Sequence, residues 1–168
     1  MGWIGGLLLM VAGTGMGWYA AHRLQRRMIF LETCGRLMQA LWQEMSYTSR
    51  PMGELWQRLA QNEAFSGFPL ARYTAEQLSN VAFSAAFAAA AERAEREGFL
   101  LPADRRLLTE FGEGCGRTDL GGQQAHIAYY RNLLAQQEAE ARRVYEEKGR
   151  VYRMLGLTGG VALTLLLM

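Results

Sequence analysis

Three regimes of hydrophobic patterning follow one another along this chain. Residues 1–21 and residues 154–168 form uncharged, mostly apolar stretches, and between them apolar residues recur at helical spacing. No segment shows sustained apolar/polar alternation bounded by turn residues, so no strand is predicted. Leu31, Cys34, Met38, Leu41 and Met45 step by three and four, placing one apolar stripe on a helix. No Gly/Pro cluster separates that stripe from Trp18, so it continues the first apolar segment. Pro51 ends it, because the residue before a proline is pushed out of the helical region. Pro51 is then expected to be the first residue of the next helix.

Met52, Leu55, Trp56, Leu59 and Ala60 line the face of that second helix, and residues 62–67 read as a turn. A helix over about 68–80 carries Leu70, Tyr73 and Leu78. An alanine-dense helix over about 81–97 carries Phe83, Phe87 and Ala94, with Gly98 as its C-cap. Pro102 opens a further helix with Asp104 in its first turn, where a carboxylate complements the helix dipole. Leu107, Leu108 and Phe111 supply its core face, and Gly112, Gly114 and Gly116 are expected to dissolve it. Thr118 or Asp119 caps the last and longest helix. There Ile127, Tyr130, Leu134, Ala141, Val144 and Val151 keep a heptad-like rhythm, interrupted by Gln137 and Lys148. The predicted class is all-α: a bundle of helical hairpins (residues 23–152) between a membrane helix at 1–22 and another at 153–168.

Charge placement strengthens that division. All 18 Lys+Arg and 16 Asp+Glu lie between Arg23 and Arg153. About 20 apolar residues cross a hydrocarbon core of ~30 Å, which the first stretch satisfies. The second is short, and it reaches a span by borrowing Val151 and Tyr152 with Arg153 snorkelling. Arg23, Arg26, Arg27 and Arg36 follow the first stretch, and Arg142, Arg143, Lys148, Arg150 and Arg153 precede the second. The positive-inside rule therefore puts the central domain in the cytoplasm and both termini across the membrane. A cleaved signal peptide fits poorly, since neither a positive n-region nor an A-x-A-like site precedes His22. The net charge of +2 gives no reason to expect a nucleic-acid partner.

Candidate chemistry is sparse. Lys148 is the sole lysine, and no G-x-x-x-x-G-K-[ST] exists to cradle phosphates. His22 and His126 stand far apart, without metal-ligand spacing, and Cys34 and Cys115 are isolated, as reduced buried thiols of a cytoplasmic domain would be. The run Gly112 to Gly116 follows a helix rather than a strand, so it reads as a loop and not a nucleotide site. No catalytic, metal or cofactor residues are therefore nominated. Acidic and arginine residues alternating at helical spacing, such as Glu92, Glu95, Glu97 and Glu138, Glu140, Glu146, Glu147, fit solvated helix faces or a protein-docking surface. Gly2/Gly6, Gly13/Gly17 and Gly156/Gly160 each form G-x-x-x-G, which lets helices approach closely in lipid.

Several local runs together carry a family resemblance: His22-Arg23-Leu24, Glu44-Met45-Ser46-Tyr47 leading to Pro51-Met52 and Leu59-Ala60, and Leu108-Thr109-Glu110-Phe111-Gly112. With them go Gly116-Arg117-Thr118-Asp119, Gln124-Ala125-His126-Ile127, and Tyr152-Arg153-Met154-Leu155-Gly156 with Gly159-Gly160. Over nearly its whole length the chain resembles the stage III sporulation protein AB family of endospore-forming bacteria. It departs mildly at Met52, where leucine is expected, and at Thr118, where serine is usual.

The resemblance implies a cytoplasmic domain similar to the helical F domain of type II secretion and pilus platforms, which lack catalysis. It implies an adaptor in the outer forespore membrane, part of the channel between mother cell and forespore, with its domain in the mother-cell cytoplasm. Its implied partners are the stage III AA family secretion-type ATPase and other membrane components of the apparatus, with homo-oligomerisation possible. Arg105, Arg106 and Glu110 are nominated for docking, and Pro51, Thr118 and Asp119 as structural helix-start residues. A small F-type platform outside sporulation and a membrane-bound enzyme stay open as alternatives.

Overall fold

The local signals that start and stop helices account for most of the architecture. A computed structural model describes residues 2–48 and 50–166, with side-chain surroundings for 15, 18–48, 50–149, 151, 154 and 158. Six helices make up these residues: α1 (Gly2–Tyr47), α2 (Met52–Gln61), α3 (Pro69–Gln77), α4 (Phe83–Arg96), α5 (Pro102–Gly114) and α6 (Leu120–Leu166). No strand occurs among the described residues. Pro51 is the N-cap of α2, one position earlier than expected; its φ of −57° suits a helix but its ψ of 145° is extended. The first helical residue, expected to be Pro51, is Met52.

Pro69 and Pro102 do occupy the first positions of α3 and α5, where the missing N–H costs nothing. Buried Asp104 reaches back, its Oδ2 accepting the Leu101 N–H at 2.9 Å. At the end of α4, Gly98 takes φ +78°, and its N–H donates to the Glu95 carbonyl while Phe99 donates to Ala94. These two bonds satisfy carbonyls that the last helical turn leaves open, and the left-handed residue that permits them is glycine. Asp119 caps α6: its Oδ1 accepts the Gly122 N–H at 3.1 Å. Thr118 contributes only its backbone carbonyl, which accepts from the Gln123 side chain at 2.8 Å.

The chain divides into two compact units, Ile29–Glu138 and a second comprising Met1–Met28 with Ala139–Met168. In the first unit, α1 buries Phe30, Leu31, Cys34, Leu37, Met38, Leu41 and Met45, the stripe expected from spacing. The partner of the α6 heptad face lies in the same chain. Arg131 hydrogen-bonds Gln39, and Gln124 donates to Ser46 Oγ at 3.0 Å, so seven residues forward on α6 match seven back on α1. That is antiparallel packing, with Ile127 and Leu134 buried in it. The short helices fill the rest: Trp56 donates from Nε1 to the Ala71 carbonyl at 3.2 Å, tying α2 to α3. Small Ala86, Ala90, Ala91 and Ala94 are buried on two adjacent rows, which brings α3 and α5 close to α4.

Among the described residues, no helix is long and apolar enough to cross a membrane. The segments expected to do so, 1–22 and 153–168, have helical backbone from Gly2 and up to Leu166. Most of their side chains, including the positions of Gly13, Gly17, Gly156 and Gly160, lie outside the described residues.

Candidate docking surface

A ladder of rings connects the core to the surface. Trp56 meets Phe87 at 5.2 Å between centroids, Phe87 meets Phe111 at 5.5 Å, and Phe111 stacks on His126 at 5.5 Å. His126 then contacts Tyr130 at 4.7 Å, and Tyr130 meets Tyr129 edge-on at 5.2 Å. Two of the glycines expected to break α5 make this possible. A Cβ at Gly112 would stand 2.8 Å from Phe87 Cδ1, and one at Gly114 would stand 2.1 Å from His126 Cε1. Both glycines lie inside α5 and serve close packing; the conformational break falls at Gly116, with φ +80°. His126 Nε2–H donates to the Phe111 carbonyl at 2.9 Å, satisfying a last-turn acceptor of α5.

Two polar surfaces flank this core, and their charges are handled differently. On α3 and α4, the Arg93 guanidinium lies 3.7 Å from the Tyr73 ring centroid. It bonds Glu97 at 3.0 Å and reaches Glu76 at 3.8 Å. Tyr73 donates its hydroxyl to Glu97 at 2.7 Å, and Arg72 pairs with Glu76 at 3.6 Å. The Tyr73 hydroxyl, followed by Arg93, holds the Glu97 carboxyl below the ordinary glutamate range. One turn away Arg96 and Glu92 pair at 2.8 Å. Each cation here faces a carboxylate.

On α5 and α6 the arrangement is open. Arg105 is committed to Glu95 of α4 at 2.5 Å. Arg106, Glu110 and Glu113 are exposed and form no ion pair among the described residues, and Tyr129 is 60% exposed. Glu113 stands in the last turn of α5, which carries no basic residue, and Glu110 just before that turn. Burial first, then the charge of Glu110, holds the Tyr130 phenol above its ordinary range, with Glu113 adding to it. Of the three residues nominated for docking, Arg106 and Glu110 are therefore free on one exposed face, while Arg105 ties two helices together.

Both cysteines are poor nucleophiles. Burial pushes the Cys34 thiol well up, with Asp104 adding to it, and burial pushes Cys115 up to about 12. No group of three or more His, Cys, Asp or Glu able to hold a metal occurs among the described residues. In the second unit, Trp18, Ala21, His22, Gln25 and Tyr145 line a cavity of about 130 Å³.

The family model for stage III sporulation protein AB matches residues 2–168. The chain belongs to the stage III sporulation protein AB family. A solved structure of stage III sporulation protein AB (SpoIIIAB) superposes with a TM-score of 0.60 at 22% identity, over 72% of this chain and 97% of that one. At that identity the likeness establishes the helical-bundle fold. No curated protein matches the sequence. Family membership supports a role in sporulation.

The sequence placed the helical hairpins and the family. It missed the Arg93–Tyr73–Glu97–Glu76 constellation, whose members come from two helices and leave no local signature. It also took packing glycines for breakers, because a glycine spacing alone does not distinguish a bend from a close approach.

Proposed function

We propose that the chain is a non-catalytic, membrane-anchored adaptor of the sporulation channel apparatus that docks a secretion-type ATPase of the stage III AA family. The observation that carries this reading is the family match over residues 2–168. The match also favours sporulation over a platform of an unrelated pilus or secretion system. Anchoring rests on the uncharged ends and their basic flanks, from Arg23 and up to Arg153. On this reading both termini lie between the forespore membranes, and residues 23–152 lie in the mother-cell cytoplasm. Exposed polar helix faces provide the contact, and their charges set the rate and specificity of encounter more than the affinity.

Co-purification of the full-length chain with the ATPase encoded beside it tests the docking. The complex is expected to weaken as salt rises, since exposed charges are screened within about 8–10 Å at physiological ionic strength. Arg106→Glu is the informative charge reversal, because Arg105 also holds α5 to α4 and its reversal would disturb folding. Reporters active only in the cytoplasm, fused to either terminus, are expected to stay dark; a bright C-terminal fusion would contradict a second span.

A further inference from the structure

In the unit comprising Met1–Met28 and Ala139–Met168, α1 and α6 share a cavity of about 130 Å³. Trp18, Ala21, His22 and Gln25 step by three and four along one face of α1, and Tyr145 completes the lining from α6. A Cβ at Gly149 would stand 3.3 Å from Tyr145 Cδ2, so the bare glycine leaves the Tyr145 ring its room. Trp18 is 71% exposed and His22 is exposed, so the cavity opens at the surface. Small-molecule pockets usually run to ~300–1,000 Å³, while a dry cavity of ~150 Å³ holds one benzene. The space here suits a fragment of that size, not a nucleotide or a whole acyl chain.

Four of the five lining side chains carry a hydrogen-bond donor: the Trp18 indole, the His22 ring, the Gln25 amide and the Tyr145 hydroxyl. None of the four forms a hydrogen bond with another described residue. No carboxylate lines the cavity. Arg23 and Arg26 directly follow His22 and Gln25, and Lys148 lies three residues beyond Tyr145. The sequence of the unit holds eight lysine and arginine residues against three glutamates, a formal +5 where the whole chain has +2. Unpartnered donors in a positive surrounding favour an acceptor-rich anion.

The place of the cavity selects the source of that anion. Uncharged sequence ends before Arg23, so the lining straddles the change from apolar to charged chain. Exposed Trp18 and Tyr19 sit on the apolar side of it, as aromatic side chains do at the headgroup level of a bilayer. We propose that this cavity holds the phosphate of an anionic phospholipid from the cytoplasmic leaflet. The Trp18, His22, Gln25 and Tyr145 donors bond its oxygens, and the cations of the unit favour a headgroup with net negative charge. The proposal rests on the membrane anchoring read above and adds to it a lipid preference.

Native mass spectrometry of the full-length chain in uncharged detergent tests the site with three probes: dioleoyl phosphatidylglycerol, dioleoyl phosphatidylcholine and inorganic phosphate. One phosphatidylglycerol should bind per chain with saturation, about tenfold tighter than phosphatidylcholine. Inorganic phosphate should leave no adduct over the same range. Q25L/Y145F removes two donors and no charge, and should weaken phosphatidylglycerol about tenfold. Ala21→Ile, which fills the space and keeps every donor, should weaken it as well. Arg143→Gln removes a cation that pairs with Glu140, away from the lining, and should leave the affinity nearly unchanged. Far-UV circular dichroism should be the same for every variant. Equal affinity for the two lipids, tighter phosphatidylcholine, or affinity unchanged in both Q25L/Y145F and Ala21→Ile would overturn the proposal. So would a loss in Arg143→Gln as large as theirs, which would mean diffuse attraction between charges. Inorganic phosphate bound as tightly as phosphatidylglycerol would overturn the lipid source. Anchoring is read separately, by alkaline extraction of the chain from vesicles of phosphatidylcholine alone. A chain that washes off these vesicles yet binds phosphatidylglycerol in detergent would contradict the spans and uphold the site.

Discussion

The α3–α4 surface and the end of the α5–α6 surface are both made of glutamate, arginine and tyrosine, yet one is closed and the other open. Around Tyr73, each charge is answered within the chain: Arg93, Arg72, Glu76 and Glu97 form one network. Toward the end of α5, Glu110 and Glu113 are left without an ion pair among the described residues. Composition does not distinguish the two, since exposed helix faces carry charge in either case. Pairing does. A closed network contributes to holding α3 against α4, whereas an open set is available to something else.

Disrupting the support common to both faces has the largest expected effect. Leu108 is fully buried on α5, and Leu108→Ala should cost about 2–5 kcal/mol, read by denaturant unfolding of the full-length chain followed by circular dichroism. Next come the packing glycines. Gly112→Ala forces Phe87, itself fully buried, out of place; the cost should exceed the ~1 kcal/mol gained in helix propensity. Gly114→Ala should cost less, because His126 is only half-buried and its ring can swing away. It should still cost Tyr130 its contact with the His126 ring, leaving its direct edge contact with Phe111 at 5.8 Å.

A smaller effect sharpens the comparison. Tyr73→Phe removes the hydroxyl bond to Glu97 and should cost about 0.5–1.5 kcal/mol. Because Glu97 titrates below the ordinary range in the folded state, its contribution is present above about pH 4.3 and is lost as pH falls further. Thermal unfolding of the native chain should therefore weaken on acidification through that range more steeply than that of Tyr73→Phe. Equal slopes would place the acid sensitivity elsewhere. The smallest effect has the opposite sign: E110Q/E113Q should leave stability unchanged or raise it by a few tenths of a kcal/mol, by relieving the α5 dipole. A clear loss would mean that these carboxylates are structural.

Much of the fold was legible because it is written in local chemistry. The three-and-four stepping from Leu31 to Met45 marked the buried face of α1, and Pro102, Gly98 and Asp119 marked helix ends at the positions observed. Boundaries were looser: α3 was expected over about 68–80 and ends at Gln77, and α4 was expected from about 81 and begins at Phe83. The surface was far less legible. Tyr73 and Glu97 are 24 residues apart, and Arg105 and Glu95 sit on different helices, so which charges are already taken becomes visible only once the helices pack. The nomination of Arg105, Arg106 and Glu110 grouped a structural ion pair with two exposed residues for that reason.

Calorimetric titration of the stage III AA family ATPase into the full-length chain tests the central claim most directly. The predicted result is saturable heat that diminishes as salt is raised, with no ATP hydrolysis by the chain alone. Absence of any saturable heat at the highest soluble concentrations, or hydrolysis by the chain without the ATPase, would contradict the adaptor reading.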